Sequence, residues 1–512
     1  MSYTTSDRLG HKLAIGAIWM IGARFTARSI GLVSTIVLAR LLLPADFGVV
    51  ALAMMVVAML QVMTEFGFDM ALIQNQEATR RHYDTVWTLS LVRGAFTALM
   101  MLAIAQPVAT FFDEPRLVEV MQVLALAPLL MQSINPATAN FRKHFNFHRE
   151  FLLMILPKLV SFTVTVALAV AWASYWALIV GILLQHLLRL LASYLLDGFR
   201  PRLCVSEWRD VMNFSKWLLV STVMTLLRKR MSALVIGRLA GLHMLGVFQV
   251  AHEISNLPTS ELIAPIKRAL YPGYARMGKD PELMGASFLN AFGLICLLAI
   301  PLSIGVNLTS DHLVYTLLGP NWVDAIPFME VLALAGMLAT CRGHARPIYL
   351  ALNRPAIGAY LTIAETALLA LSIFVFYKLM GTIGVAWAAV VVEAFMTVCD
   401  IILLRRLLGV RLRSWLAEFW RPATAGAIMT AAVIQLDAQI PVSDTTFDHA
   451  RALVACAVVG LFVYLAAIAL LWSLAARTGL TAERNLMWFI ADMMRRTRKR
   501  PGMRPAPSAP AD

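Results

Sequence analysis

The chain has 512 residues, 59% hydrophobic and only 14% charged, well below the charged share of about 25% usual in soluble domains. Many of its apolar runs exceed the roughly 20 residues that cross a bilayer, which excludes a water-soluble globular protein. The net charge of +14 could suit nucleic acid, but the placement of the basic residues argues against that partner.

In chain order, apolar runs are expected to span the membrane at residues 14–43, 48–66, 86–112, 117–137, 151–173, 175–196, 214–239, 245–264, 288–308, 325–341, 356–377, 383–404, 423–440 and 450–474. The first run passes straight into a second span, so it reads as an anchor and not as a cleaved signal. With the N-terminus placed inside, the outer loops carry only Arg40, Arg116, Arg238, Lys378 and Arg451. The inner segments hold most of the other basic residues, including FRKHFNFHRE (141–150), KRALYPGYARMGKD (267–280) and the tail from Arg484. This asymmetry places both termini in the cytoplasm. The basic surplus is then topological, faces anionic membrane lipids, and implies no nucleic-acid partner.

An internal repeat organises these runs. RLLLPADFGVVALA, from Arg40 to Ala53, is echoed by RLAGLHMLGVFQVA, from Arg238 to Ala251. In this register Arg40 falls on Arg238, Gly48 on Gly246 and Val49 on Val247, and upstream Trp19 falls on Trp217 and Ser34 on Ser232. The offset spans six expected crossings, an even number, so the copies share one orientation and are related by an axis along the membrane normal. The expected fold class is an all-α polytopic membrane protein of about 14 transmembrane helices. It has two six-helix lobes from a parallel repeat, plus two C-terminal helices. The expected domains are an N-terminal lobe (1–198), a cytoplasmic connector (199–213), a C-terminal lobe (214–408), spans 13 and 14 (409–476) and a basic cytoplasmic tail (477–512).

Charges inside spans are costly, about 2.5–3.5 kcal/mol each on insertion scales, and are functional by default. Arg24 and Arg28 lie one helical turn apart in span 1, Arg93 lies in span 3, and Arg228 and Arg230 lie in span 7. These five are the candidate binding residues for an anionic headgroup, because the planar guanidinium bonds two phosphate oxygens at once. Lys158, Arg189 and Lys216 lie near span ends and are expected to snorkel. Glu253, Glu330, Glu365, Glu393 and Asp400 are acids within second-half spans. Glu365 and Glu393 are candidates for coupling to a driving ion, against the alternative of pairing with second-half arginines. No phosphate-binding GxxxxGK[ST] loop, metal-spaced His/Cys set or nucleophile–base signature stands out. The five cysteines are scattered and read as small buried residues. His186 and His344 read as helix or loop surface. No catalytic residue, metal ligand or cofactor is therefore expected, and the chain is not expected to be an enzyme.

LARLLLPADFGVVALA (38–53), FGFDMALIQ (66–74), FRKHFNFHRE, VIGRLAGLHMLGVF (235–248) and GPNWVDAIPFMEVLALAG (319–336) together give the chain its likeness. It resembles Wzx-type bacterial polysaccharide flippases of the multidrug/oligosaccharidyl-lipid/polysaccharide exporter superfamily, in the branch exporting colanic-acid-like units. Relatives often carry Asn and Asp shortly before the I-G-R of span 7, where Arg230 and Ser232 stand here. The resemblance implies a V of two bundles around a central cavity, in a bacterial inner membrane. It also implies alternating access for an undecaprenyl-pyrophosphate-linked oligosaccharide, with a polysaccharide polymerase and chain-length machinery as partners. Two other readings are a multidrug-type antiporter of the same superfamily and a membrane polysaccharide polymerase or ligase. The short outer connections count against the polymerase or ligase.

A topology reporter fused after Asp444 is expected to behave as periplasmic and one after Arg498 as cytoplasmic. The reverse pattern rejects the fourteen-span order.

Overall fold

The computed structural model describes residues 3–63, 72, 79–143, 146–206, 216–277, 280–441 and 445–474. Most of the FGFDMALIQ motif, part of the connector, and the tail fall outside the described residues. Among the described residues the regular structure is helical. The N-terminal half contains α1 (Tyr3–Leu41), α2 (Pro44–Met63), α3 (Arg80–Phe112), α4 (Arg116–Leu124), α5 (Leu126–Gln132), α6 (Phe147–Trp172) and α7 (Trp176–Leu196). The second half repeats the order with α8 (Lys216–Leu239), α9 (Gly241–Arg276), α10 (Pro281–Leu308), α11 (Ala325–Arg342), α12 (Arg346–Ala351), α13 (Pro355–Met380) and α14 (Thr382–Leu408). Helices α15 (Leu412–Asp437) and α16 (Thr446–Leu474) follow.

With α4 and α5 taken together and α12 as a short extension of α11, these helices fall into fourteen units in the expected order. Among the described residues nine segments qualify as spans by length and composition alone: α2, α3, α6, α7, α10, α11 with α12, α13, α14 and α16. The other crossings either carry charges within their length (α1, α8, α9, α15) or are broken (α4–α5). Exposed rows of large apolar side chains confirm a lipid solvent. On α16, Val454, Val458, Leu461, Phe462 and Leu465 are all exposed, a surface that water would not tolerate.

Several boundaries differ from expectation. Helix α1 begins at Tyr3, and α9 continues to Arg276 instead of stopping near 264. The basic amphipathic stretch after span 12 is split. Gly409, at φ 68°, ends α14, and the rest becomes the first turns of α15. Left-handed backbone at that point is what glycine supplies at no steric cost. His344 is not on the surface. It is 1% exposed and stacks on Phe288 at 4.4 Å between ring centroids.

The halves pack alike. In the first, α1 packs on α6, α6 on α7, α3 on α4 and α5, and α5 on α7. In the second, α8 packs on α13, α13 on α14, α10 on α11, and α11 on α14. The repeat seen in sequence is thus a repeat of packing, giving the two lobes. Helix α15 packs on α10 and on α16, adding the last pair to the outside of the second lobe.

The lobes meet most extensively where α2 crosses α9. This is the turn end, at which α1 passes to α2 and α8 to α9. A Cβ on Gly48 would collide with the backbone carbonyl of Leu242, and one on Gly246 with the carbonyl of Pro44. Leu242 is the repeat partner of Pro44, so the crossing is symmetric: each helix lays its glycine on the other's first turn. Side chains then close the gap. Arg40 donates to the carbonyls of Tyr315 (3.3 Å), Leu317 (3.1 Å) and Thr316, in the connection after α10. The Trp322 indole donates to the Ala39 carbonyl at 2.8 Å and meets Phe47 edge to face at 5.2 Å. Trp322, Val49, Leu52, Ile236 and Val247 are all within one apolar cluster running through both lobes.

Because carbonyl oxygens cannot yield as a flexible side chain can, Gly48→Val and Gly246→Val are each expected to lower stability by about 1–3 kcal/mol, as overpacking does. Thermal unfolding in detergent reads this directly. Gly358→Ala, on α13 with no heavy atom near the added Cβ, is expected to leave the melting temperature unchanged or slightly raised.

Candidate functional site

Two clusters of charge lie within the helices, and they differ in balance. The first sits where α1, α6 and α9 approach. Arg24 is exposed, and Arg28, one turn on, keeps 41% of its side-chain area open. Lys158 enters from α6. Its ammonium donates to the Ala27 carbonyl at 2.5 Å and occupies the space beside Gly31, where a Cβ would stand 3.1 Å from Nζ. Glu253, from α9 in the other lobe, lies 3.9 Å from the Arg28 guanidinium and accepts from the Thr35 hydroxyl at 3.5 Å. Among the described residues, Arg28 and Lys158 bring two cations toward the Glu253 carboxylate on this seam between the lobes, and Arg24 lies one turn along α1 from Arg28. Such a surplus in a partly dry setting is an attractive site for an anion, since Coulomb interactions there are weakly screened.

The second cluster is balanced and buried in the C-terminal lobe. Glu365, on α13 and 1% exposed, receives Arg228 of α8 at 2.5 Å, Arg342 of α11 at 2.9 Å and Arg346 of α12 at 3.4 Å. Glu393, on α14, receives Arg342 at 2.9 Å and lies 4.0 Å from Arg228. Asp400, two turns along α14, is 3.5 Å from Arg342 and accepts from the Tyr349 hydroxyl at 2.5 Å. Three guanidiniums thus face three carboxylates. Buried charges of this kind persist only when paired and hydrogen-bonded, and here they tie five helices together.

The expected site residues therefore separate. Arg24 and Arg28 lie on the seam. Arg228 lies in the balanced cluster with Glu365 and Glu393. Arg230 is half-buried on α8, and Arg93 is half-buried on α3 beside Gly94, where α3 meets Pro128 and Gln132 of α5. Lys158, expected to snorkel, instead reaches the α1 backbone, and Arg342 and Arg346 fall between the expected spans 325–341 and 356–377. The spacing of Glu393 and Asp400 at i and i+7 on α14 could have revealed one charged helix face.

A different surface lies outside the second lobe. Leu297, Pro301, Met429, Val433, Leu461 and Tyr464 are among the residues lining an apolar groove of about 840 Å³ between α10, α15 and α16.

The fold is that of a two-lobe polytopic membrane protein. The chain resembles the lipid II flippase MurJ in an inward closed conformation, with a TM-score of 0.72 over 89% of this chain and 99% of that one, at 11% identity. It also resembles an inward-facing multidrug resistance MATE transporter of the MOP superfamily, with a TM-score of 0.58 over 74% of this chain and 94% of that one, at 15% identity. Residues 37–327 match the polysaccharide biosynthesis protein family, and the chain belongs to that family, as one of its Wzx-type flippases. Among its relatives, the lipopolysaccharide biosynthesis protein WzxC of Escherichia coli is 23% identical over 81% of this chain and 85% of its own length. The teichuronic acid biosynthesis protein TuaB of Bacillus subtilis is 24% identical over 73% and 77%.

Removing one partner of a buried ion pair strands the other, at a cost of about 3–5 kcal/mol. Glu365→Gln, which leaves three guanidiniums without their shared carboxylate, is expected to reduce folded protein after detergent extraction and to lower the melting temperature. An unchanged melting temperature shows that the cluster does not hold the lobe together.

Proposed function

We propose that the protein carries undecaprenyl-pyrophosphate-linked oligosaccharide units from the cytoplasmic to the periplasmic leaflet of a bacterial inner membrane by alternating access. It would do so during exopolysaccharide or lipopolysaccharide biosynthesis. The observation that carries this reading is the cationic surplus on the seam: Arg24, Arg28 and Lys158 against Glu253. A pyrophosphate matches it in charge, and the arginine forks match it in geometry. The apolar groove beside α15 and α16 gives the lipid a surface on which to remain in hydrocarbon while its head enters the seam. In this reading the turn end faces the periplasm, both termini lie in the cytoplasm, and the polymerase and chain-length machinery take over the product outside.

The two alternatives fit less well. A cation-exporting antiporter would have to bring its substrate against the same surplus. A polymerase or ligase would need a large outer segment for saccharide chemistry, and the connections at the turn end are short. Glu365 and Glu393 are held by Arg228, Arg342 and Arg346, so a driving ion could bind there only by displacing an arginine. The proposal assigns them to the scaffold of the C-terminal lobe. Gradient dependence that is lost in Glu393→Gln, measured per folded protein, would return them to a coupling role.

In a strain depending on this protein, the Arg24→Ala/Arg28→Ala double variant is expected to abolish export and to accumulate lipid-linked sugar on the inner leaflet. Lysine at both positions should rescue only in part, because it keeps the charge and loses the fork. Export is normalised to membrane-inserted protein, and a normal normalised rate in the alanine variant rejects the site.

A further inference from the structure

No metal-ligand spacing is visible along the chain, yet the fold assembles a group of ligands at the turn end from three separate elements. The connection after α10 supplies Asp311 and His312, the last residue of α15 is Asp437, and the first turn of α16 contains His449. His312 is 3% exposed and His449 7%. Nε2 of His312 lies 2.7 Å from Oδ1 of Asp437. With its proton on that side, the ring turns a lone pair on Nδ1 the other way. There it faces Nδ1 of His449 at 3.0 Å, and Oδ2 of Asp311 lies 3.8 Å from that same Nδ1 of His312. Ligand atoms of Asp311, His312 and Asp437 fall within 4.8 Å of one another.

We propose that this cluster binds one divalent transition-metal ion, with zinc as the best fit. The ion would be held between the Nδ1 atoms of His312 and His449 and a carboxylate oxygen of Asp311, with Asp437 holding the His312 ring from behind. Two nitrogens bound tetrahedrally to zinc at about 2.0–2.1 Å lie about 3.3 Å apart, so the observed spacing needs only a small adjustment. Imidazole donors favour zinc over magnesium or calcium, which take oxygen. A carboxylate behind a ligating imidazole is the usual device that fixes its tautomer and orientation.

The position gives the ion a task. The Tyr315 ring stacks on His449 at 4.3 Å between centroids, and the Tyr315 carbonyl is one of those that receive Arg40 from the other lobe. An ion at this site would pin α15 and α16 to the connection on which the closed contact between the lobes rests.

The test uses the full-length protein in detergent, stripped with a chelator and dialysed against zinc chloride. Bound zinc is counted by elemental analysis, and thermal unfolding is followed with and without the metal. Wild type is expected to take up one zinc per chain and to melt at a higher temperature with it. His312→Gln and His449→Gln should lose both effects, Asp437→Asn should bind roughly 10–100-fold more weakly, and His312→Cys should recover uptake by restoring a ligand. His243→Gln, which removes an exposed histidine paired with Asp324 at the same end, should bind as wild type does. Absence of zinc uptake by wild type overturns the proposal, even if the histidine variants fold poorly. Undiminished uptake by the His312→Gln/His449→Gln double variant overturns it equally.

Discussion

The structure depends on a backbone contact. At the crossing of α2 and α9, Gly48 lies against the Leu242 carbonyl and Gly246 against the Pro44 carbonyl. Within a membrane there is little hydrophobic gain from pressing one apolar helix on another, so close approach through small residues supplies much of the association. Here it does so twice, with the same residue in the same place in each lobe. Around it the apolar side chains of both lobes merge into one cluster, which seals the turn end. Any movement that opens this end must separate two helix backbones and expose that cluster.

Charge is distributed to suit that division. The C-terminal lobe neutralises its own acids: Arg228, Arg342 and Arg346 meet Glu365, Glu393 and Asp400 across five helices. A buried network of this sort contributes less to net stability than to fixing one arrangement, because desolvation offsets most of the Coulomb attraction. The seam is different. Lys158 reaches across to the α1 backbone because Gly31 leaves room for it, and Glu253 answers only part of the charge of Arg24, Arg28 and Lys158. The lobe that is balanced is suited to move as a unit, and the seam that is unbalanced is suited to hold an anion.

What the sequence revealed and what it concealed follow from the same physics. Gly48 and Gly246 stood out in register because a contact between backbones admits no other residue, and Arg40 and Arg238 because each ends a helix at the turn. The fourteen crossings were legible because charge in hydrocarbon is rare and basic loops alternate. The balanced cluster was only half legible. Glu365, Glu393 and Asp400 were seen as acids in spans, but Arg342 and Arg346 lay between the expected spans, since nothing in composition says that α11 runs to Arg342 and that α12 extends it. His344 was misplaced for the same reason, its aromatic partners Phe288 and Phe292 being distant in sequence. The group around His312 was invisible because Asp311 and His312 lie more than a hundred residues before Asp437 and His449 in chain order.

The repeat also shows where symmetry ends. Arg40 and Arg238 occupy equivalent positions, but Arg40 binds three carbonyls of the connection after α10, whereas Arg238 lies over the Phe111 ring, 5.4 Å from its centroid. The connection after α3, which would be the partner of Arg238, is only the short turn at Asp113–Pro115. That after α10 is longer and includes Trp322, which reaches back to Ala39. The backbone crossing is therefore two-fold and the side-chain closure is not. A symmetric crossing could part equally from either side. The added hydrogen bonds of Arg40 and Trp322 join the first lobe to one connection of the second, so the cost of opening is concentrated on a segment that packs against α16.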